Sequence, residues 1–132
     1  MKVLCSYCSA AKNRDETPLA AVQRYDSDRL RALHRRGVAE GTPLHILSGR
    51  YGLLASDEPI PWYDHLLAPS EVAAMSAEVA RSLRALGVTT VEYHTASMAL
   101  VPQVGPYLEV MRAACAEARV ALVVVELDGD PA

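Results

Sequence analysis

The sequence is poor in aromatic side chains: its 132 residues include no phenylalanine, one tryptophan and six tyrosines. It also contains no apolar run near the roughly 20 residues that a membrane-spanning helix needs, so no membrane association is predicted. The valine-rich run from 120 to 125 has the length of a strand. With 51% hydrophobic and 22% charged residues, the composition is that of an ordinary globular protein of single-domain size, and we expect one domain over residues 1–132.

Positive charge is a second shortage. The 13 Lys and Arg residues face 16 Asp and Glu residues, which gives a net charge of -3. Binding along a nucleic-acid backbone depends on clustered Lys and Arg, so nucleic acid is a possible partner but not the favoured one. The chain has one local basic stretch, which is predicted to form an exposed helix face rather than a nucleic-acid contact. It consists of Arg29, Arg31, Arg35 and Arg36.

Cysteine is scarce as well. Three cysteines without a repeating framework favour reduced thiols over structural disulfides. Cys5 and Cys8 form one C-x-x-C spacing, but no second ligand pair follows, so we predict neither a metal site nor a cofactor. The start of the chain shows no pattern of a secretory signal peptide, which predicts a cytoplasmic location.

Hydrophobic patterning predicts four strands, at residues 2–7, 44–48, 89–94 and 120–127. The last run is almost entirely apolar, which is typical of a strand buried on both faces of a parallel sheet. A long segment from 49 to 67, punctuated by glycine and proline, predicts an ordered loop, and long loops in compact domains are usually functional.

Helices are predicted between these strands. Thr17 and Pro18 have the pattern of an N-cap and first helical residue, Gly37 that of a helix end, and Ser27 is expected to cap a second helix if the run is divided. Further helices are predicted from Ser70 to Gly87 and within residues 98–118. The alternation of strands and helices predicts an α/β fold, a small three-layer sandwich with a mostly parallel four-stranded sheet.

Two loops that follow predicted strands carry chemically active side chains. The first, residues 7–12, contains a thiol, a hydroxyl and an amine; the second begins at residue 48 and is rich in glycine, aromatic and acidic residues. Because ligands of open α/β sheets bind beyond the carboxyl ends of the strands, segments 7–12, 48–52 and 94–97 are expected to converge. The sequence therefore predicts one composite pocket.

The same loops carry a family resemblance. The elements are Cys8-Ser9-x-x-Lys12, Pro18, Tyr25-Asp26-Ser27, Leu47-Ser48-Gly49-x-Tyr51-Gly52-Leu53-Leu54, Asp57 and Tyr63-Asp64. Together they resemble a large group of bacterial and phage domains, most of which have no assigned activity, and the Leu-Ser-Gly-x-Tyr-Gly segment resembles the YaaA peroxide-stress family. Both groups look related to the uracil-DNA-glycosylase-like fold, and the Cys-Ser-x-x-Lys element is similar to one in enzymes of modified-guanine metabolism in tRNA. The resemblance implies chemistry on a nucleobase; the chain lacks the long basic C-terminal part of the YaaA family and the water-activating loop of uracil glycosylases.

Several side chains are candidates for substrate binding. Backbone amides near glycine permit close approach of a phosphate or a planar base, and aromatic rings provide stacking faces. The competing interpretation is that the aromatic cluster packs the long loop onto the sheet. The candidates are Ser9, Lys12, Ser48, Gly49, Tyr51, Gly52, Trp62, Tyr63 and His94.

Three further residues are candidates for catalysis. Asp64 is the first choice as the carboxylate that activates water or stabilises a cationic sugar, and Asp57 the second. A turn role competes for Asp57 and a loop-pinning hydrogen bond for Asp64. Cys8 is a possible nucleophile, against the alternative of a small side chain packed at the end of a strand. His94 is a possible general base, against a structural role.

These observations predict a small-molecule enzyme that acts on a nucleoside, nucleotide or modified nucleobase, by hydrolysis or transfer at the N-glycosidic bond. Two alternatives remain open: a non-catalytic nucleic-acid-binding or stress-response module, and a thiol-dependent enzyme that uses Cys8 with Cys5 as resolving partner. A homodimer is plausible, because the apolar last strand is expected at a sheet edge, where it can pair with a second copy.

Overall fold

The main sheet has four parallel strands and one antiparallel strand at an edge. The computed structural model of the chain describes residues 1–127. The strands of this part are β1 (Lys2–Tyr7), β2 (Leu19–Ala20), β3 (Leu44–Ser48), β4 (Gly52–Ala55), β5 (Pro59–Ile60), β6 (Thr90–Ala96) and β7 (Ala121–Leu127). The helices are α1 (Ala21–Arg24), α2 (Asp28–Glu40), α3 (Val72–Leu86) and α4 (Gly105–Ala118), with 3₁₀ turns at Pro69–Glu71 and Pro102–Val104.

The layers explain where a ligand can enter. The strand order is β4-β3-β1-β6-β7; α2 packs on β1 and β3, whereas α3 and α4 pack against each other and reach β4, β6 and β7. The chain leaves β1 toward β3 on one side and later continues from β6 to β7 on the other, so the strand order reverses between β1 and β6. In open α/β sheets a crevice forms at such a reversal, beyond the carboxyl ends of the strands. The three-layer α/β class predicted from the sequence is confirmed.

The sheet has one strand more than predicted within the described part of the chain. Residues of the predicted loop form β4, which pairs antiparallel with β3, Ser48 opposite Gly52 and His45 opposite Ala55. Gly52 has a φ of 76°, a left-handed conformation that lets the chain reverse tightly after Ser48. As a result, the residues that follow β4 return to the amino end of β3.

Two local signals are confirmed as helix ends. The hydroxyl of Ser27 accepts a hydrogen bond from the Leu30 amide at 3.2 Å and caps α2. Gly87 ends α3 with a φ of 70°.

Two other expected helix ends are wrong. Thr17 and Pro18 do not start a helix, because the next residues form β2 and pair with β5. Gly37 lies inside α2, where a Cβ atom would lie 2.5 Å from the carbonyl oxygen of Thr42. This glycine therefore permits a close approach of the chain rather than a helix end, and α2 ends at Gly41.

The last strand is less buried than its composition predicts. β7 lies at the edge of the sheet, its residues alternate between exposed and half-buried, and Val123 is 51% exposed. The expectation of burial on both faces is wrong, because β6 is its only pairing partner among residues 1–127. In the same part of the chain, no helix combines the length and apolarity needed to span a membrane.

Candidate functional site

A cavity of about 450 Å³ lies at the reversal of strand order. Three segments form it: the turn after β1, the loop before the first 3₁₀ turn, and the start of α4. Its lining consists of Tyr7, Cys8, Ser9, Ala10, Ala11, Lys12, Asp64, His65, Leu66, Val101, Gln103, Val104 and Tyr107. The turn after β1 therefore meets residues 64–66 of the long loop at one cavity, whereas segments 48–52 and 94–97, which were also expected there, do not line it.

A buried arginine fixes the turn after β1. The guanidinium of Arg29 donates to the carbonyl of Tyr7 at 2.8 Å and to Ser6 Oγ at 2.6 Å, and lies 3.8 Å from the centroid of the Tyr7 ring. Arg29 is only 5% exposed, so the prediction that it belongs to an exposed basic face is wrong for this residue. Strong charge-assisted hydrogen bonds to backbone carbonyls hold the end of β1 in place.

Small side chains complete this turn. Ser9 Oγ donates to the carbonyl of Ala11 at 2.6 Å, which closes the turn and leaves the hydroxyl oxygen as an acceptor. The thiol of Cys8 donates to the hydroxyl of Tyr107 at 3.7 Å, and that hydroxyl also accepts from the Leu67 amide at 3.1 Å. Tyr107 thus connects the turn after β1 with the loop that follows Asp64.

The serine and glycine residues after β3 have structural roles. Ser48 Oγ accepts from the amides of Arg50 at 3.1 Å and Tyr51 at 3.0 Å, which orders the turn. A Cβ on Gly49 would lie 2.8 Å from the hydroxyl of Tyr107 and 2.9 Å from the Leu67 nitrogen. Neither residue lines the cavity, and neither does Gly52.

Two aromatic residues of the long loop, Tyr51 and Tyr63, pack against other side chains and do not line the cavity. Tyr63 is 5% exposed, and its hydroxyl is hydrogen-bonded to Tyr25 and, at 2.8 Å, to Ser48. The Tyr51 ring meets the Tyr63 ring edge-on with centroids 5.1 Å apart. Burial raises the pKa of Tyr63, so it stays a neutral hydrogen-bonding group. The interpretation that this cluster packs the loop is the one that its geometry favours.

Lys12 stands between this cluster and the cavity. Its Nζ atom lies 4.7 Å from the centroid of Tyr63 and 6.0 Å from that of Tyr25, at the distance of a cation–π contact. Its hydrogen bond to the carbonyl of Ala10 is long, at 3.4 Å. The ammonium is therefore placed by the tyrosines and retains donor capacity toward the cavity.

Two acid–base residues come from the loop before the first 3₁₀ turn. Asp64 and His65 both line the cavity, and the His65 Nε2 atom lies 2.9 Å and 3.0 Å from the carboxylate oxygens of Glu71. Glu71 also accepts from the Ala68 amide at 2.8 Å. The hydrogen bond from the Ala68 amide is the main reason that the pKa of Glu71 is lowered, and the contact with His65 also lowers it.

Three predicted site residues lie elsewhere. Asp57 follows β4 and therefore borders a different cavity, beside Pro43 and Leu44 at the amino end of β3. Trp62 is 42% exposed and stacks with Arg14, whose guanidinium carbon lies 4.8 Å from the ring centroid. The antiparallel direction of β4 separates Asp57 from the site, and nothing in the sequence of the loop marks this.

His94 is the third. Its Nε2 atom lies 2.6 Å from Glu92, whose carboxylate also pairs with Arg36 at 2.6 Å and with Lys2 at 3.1 Å. The bond from Arg36 is the main reason that the pKa of Glu92 falls to about 2. His94 belongs to an ion-pair network with α2 and does not line the cavity.

The C-x-x-C spacing does not form a thiol pair. Cys5, Cys8 and Cys115 are all free, and burial raises the pKa of Cys5 far above its ordinary value. A thiol in such surroundings ionises poorly and is a weak resolving group. Among residues 1–127, no group of three or more His, Cys, Asp and Glu side chains is placed to hold a metal ion.

Sequence reasoning overlooked Tyr107 and Arg29 as parts of the site. Tyr107 lies within the predicted helix of residues 98–118, and Arg29 belongs to a run of arginines that is typical of a solvated face. For Tyr107 no local signal in the sequence marks a role at the site. For Arg29 no local signal distinguishes it from its neighbours.

Comparisons with family models, curated proteins and solved structures give no match. The family resemblances drawn from the sequence motifs therefore stay predictions.

Proposed function

We propose that the protein is an enzyme that binds a nucleoside, nucleotide or modified nucleobase and hydrolyses or transfers at its N-glycosidic bond. The observation that carries the proposal is one cavity at the reversal of strand order where Lys12, Asp64 and an apolar wall meet. Fold alone does not fix function, so the proposal rests on the side chains at this place.

The size and walls of the cavity support a small planar ligand. Small-molecule sites usually occupy about 300–1,000 Å³ and combine apolar walls with a few polar groups. Here the apolar wall is formed by Leu66, Val101 and Val104 together with the tyrosines at positions 7 and 107. Such a wall buries the faces of a base, and the carbonyl and amide edges of the base find partners in Ser9 and Gln103.

The charged residues divide the chemistry between them. Lys12 offers an ammonium to an anionic group of the substrate, such as a phosphate. Asp64 has no hydrogen-bond partner among the described residues, and its carboxylate stabilises the positive charge that develops at C1′ when an N-glycosidic bond breaks. Lys12 and Asp64 come from different loops and line the same cavity, so one substrate can contact both an ammonium and a carboxylate.

The test is incubation of the protein with a panel of nucleosides and nucleotides, with free base measured by chromatography and ligand binding by thermal shift. Release of one base, with a shift in melting temperature for the same compound, supports the proposal. Absence of both for every compound in the panel contradicts it.

A second candidate function is thiol chemistry, because Cys8 also lines the cavity. In this alternative Cys8 attacks the substrate, without Cys5 as partner because that thiol is buried. Rapid, pH-dependent alkylation of one cysteine supports it, and full activity of Cys8→Ser contradicts it.

Nucleic acid and a second copy of the chain are the two macromolecular partners to test. A non-catalytic nucleic-acid-binding module would bind nucleic acid with a steep salt dependence and release no base. We also propose that the open edge of β7, with Val123 exposed, pairs with a second copy of the chain. Sedimentation analysis of the wild type and of Val123→Lys tests this: a dimer that the substitution dissociates supports the pairing, and a monomeric wild type contradicts it.

A further inference from the structure

His65 borders two spaces at once. It lines the cavity and also an adjacent groove of about 450 Å³, which runs past Gly49 and Arg50 toward α3. Its imidazole is held on one side by Glu71, whose carboxylate oxygens both lie within 3.0 Å of Nε2. The ring is therefore anchored at one nitrogen while it faces the site.

The hydrogen bonds of Glu71 fix where the proton of this ring lies. The amide of Ala68 donates to the carboxylate, which stabilises its ionised form. An ionised carboxylate only accepts hydrogen bonds, so the hydrogen in this contact sits on Nε2 of His65. In the neutral ring Nδ1 is then the proton acceptor, and it has no hydrogen-bond partner among residues 1–127. This is the arrangement in which a carboxylate orients a catalytic histidine.

We propose, building on the glycosidic chemistry above, that His65 is the general base of the reaction and that Glu71 positions it. A water oxygen bonds to C1′ as the C1′–N bond breaks, and the bonding pair leaves with the base nitrogen. The water proton moves to Nδ1, which forms an imidazolium beside the Glu71 carboxylate. The departed base takes a proton from solvent and the imidazolium returns one, so atoms and charge balance. Asp64 faces the cationic sugar and takes no proton.

Charges from each packed element act on this ring. Negative charge favours the imidazolium and positive charge opposes it. The titratable groups that border the same two spaces are Glu71 and Glu78 from the α3 side, Arg50 from the turn after β3, Asp64 from the loop, Tyr7 from the end of β1, Lys12 and Cys8 from the turn after it, and Tyr107 from α4. Of these, Glu71 is the group hydrogen-bonded to the ring.

The test compares the wild type with His65→Gln and Glu71→Gln, on a substrate from the panel that the wild type cleaves. Loss of a general base is expected to lower kcat about 10²–10⁴-fold in His65→Gln. Glu71→Gln retains an acceptor for the Ala68 amide but loses the charge, so kcat falls about 10–100-fold, as for other groups that orient a histidine. Its pH–rate profile also changes: the imidazolium forms less readily, and the acidic limb moves to lower pH.

The control is Glu117→Gln, the same change at an exposed position of α4, and all variants are checked by thermal unfolding. If the wild type cleaves substrate and folded His65→Gln keeps a rate within about 3-fold, this inference fails while the proposed function stands. A Glu71→Gln profile with an unmoved acidic limb rejects the role of Glu71. If the wild type releases no base from any compound, the proposed function and the role of His65 both fail.

Discussion

The carboxyl ends and the amino ends of the parallel strands, called here the carboxyl edge and the amino edge of the sheet, each carry a cavity bordered by a histidine and an aspartate. Different parts of the fold build the two cavities. At the carboxyl edge, loops from separate strands meet around about 450 Å³ beside Asp64 and His65. At the amino edge, a groove of about 410 Å³ lies between the end of α2 and the hairpin of β3 and β4, beside His45 and Asp57. The first lies where the strand order reverses; the second lies on the outer side of the hairpin.

The difference shows why residue type alone does not identify a site. No lysine or arginine borders the amino-edge groove within residues 1–127, whereas Lys12 borders the carboxyl-edge cavity. His45 is buried, and burial lowers its pKa, so it is a neutral part of the hairpin. His65 is held by a carboxylate at the rim of the other cavity. Similar side chains thus lie beside the proposed reaction site at one edge and within the packed hairpin at the other.

The largest expected contrast is between the two aspartates. Asp64→Asn removes the charge that stabilises the developing cation and is expected to lower kcat about 10²-fold, the lower end of the range for a preorganised electrostatic contact, because this exposed carboxylate is held by no hydrogen bond among the described residues. Asp57→Asn, the matched change at the other edge, should leave kcat unaltered. Steady-state release of free base measures both, and equal losses would remove the distinction between the edges.

Two glycines give a contrast in stability. Gly49→Ala places a methyl group against the Tyr107 hydroxyl and the Leu67 amide, and overpacking of this kind costs about 3 kcal/mol in the free energy of unfolding. Gly41→Ala meets no atom within 4 Å, but Gly41 has a φ of 67°, and the left-handed conformation costs about 1 kcal/mol. Urea unfolding with a constant m-value measures the difference. A smaller loss for Gly49→Ala would mean that the contact at the carboxyl edge is loose.

Substitutions at two lysines, Lys12 beside the cavity and Lys2 away from it, test whether a positive charge at the cavity binds the substrate. Lys12→Met is expected to raise KM about 10-fold for a phosphorylated substrate, because one charge-assisted hydrogen bond is lost, and to change KM little for the nucleoside. Lys2→Met, whose side chain pairs with Glu92 at 3.1 Å, is the control and should change neither. An equal rise in KM for both substrates would show that Lys12 does not contact the phosphate.

The smallest expected effect is a pH dependence of stability from His45. Because burial lowers its pKa below the ordinary 6.5, the unfolded chain binds a proton that the folded chain does not, and stability falls as the pH drops below about 6.5. His45→Gln should remove this slope. The pKa of the Glu92 carboxyl is about 2 in the folded chain, below its ordinary value of 4.5. The ionised carboxylate therefore stabilises the fold fully above pH 4.5, and this stabilisation is lost as the pH falls toward 2. That second decline should persist in His45→Gln; unfolding midpoints between pH 8 and 2 separate the two.

Signals that depend on chain neighbours could be interpreted from the sequence. The cap at Ser27, the end of α3 at Gly87 and the four parallel strands follow from side-chain hydrogen bonds, left-handed glycine and apolar periodicity. That the turn after β1 and the start of the aromatic loop lie at the same end of the sheet was also predictable, because the carboxyl ends of parallel strands lie on one side. That residues 64–66 rather than 48–52 line the cavity was not. Lys12 and Tyr63 lie 4.7 Å apart, from Nζ to ring centroid, so the turn after β1 does contact the aromatic loop.

Other features depend on pairings between distant segments. The sequence alone determined an α/β chain with reactive side chains after its strands. Only the tertiary structure decided that β4 runs antiparallel and carries Asp57 away from Asp64, and that Tyr63 is buried against Ser48. It also decided that β7 is only partly buried, although its apolar run predicted burial on both faces. The physical reason is that local backbone preferences fix an element, whereas the order and direction of strands in a sheet are fixed by contacts between residues far apart in the chain, which no short segment encodes.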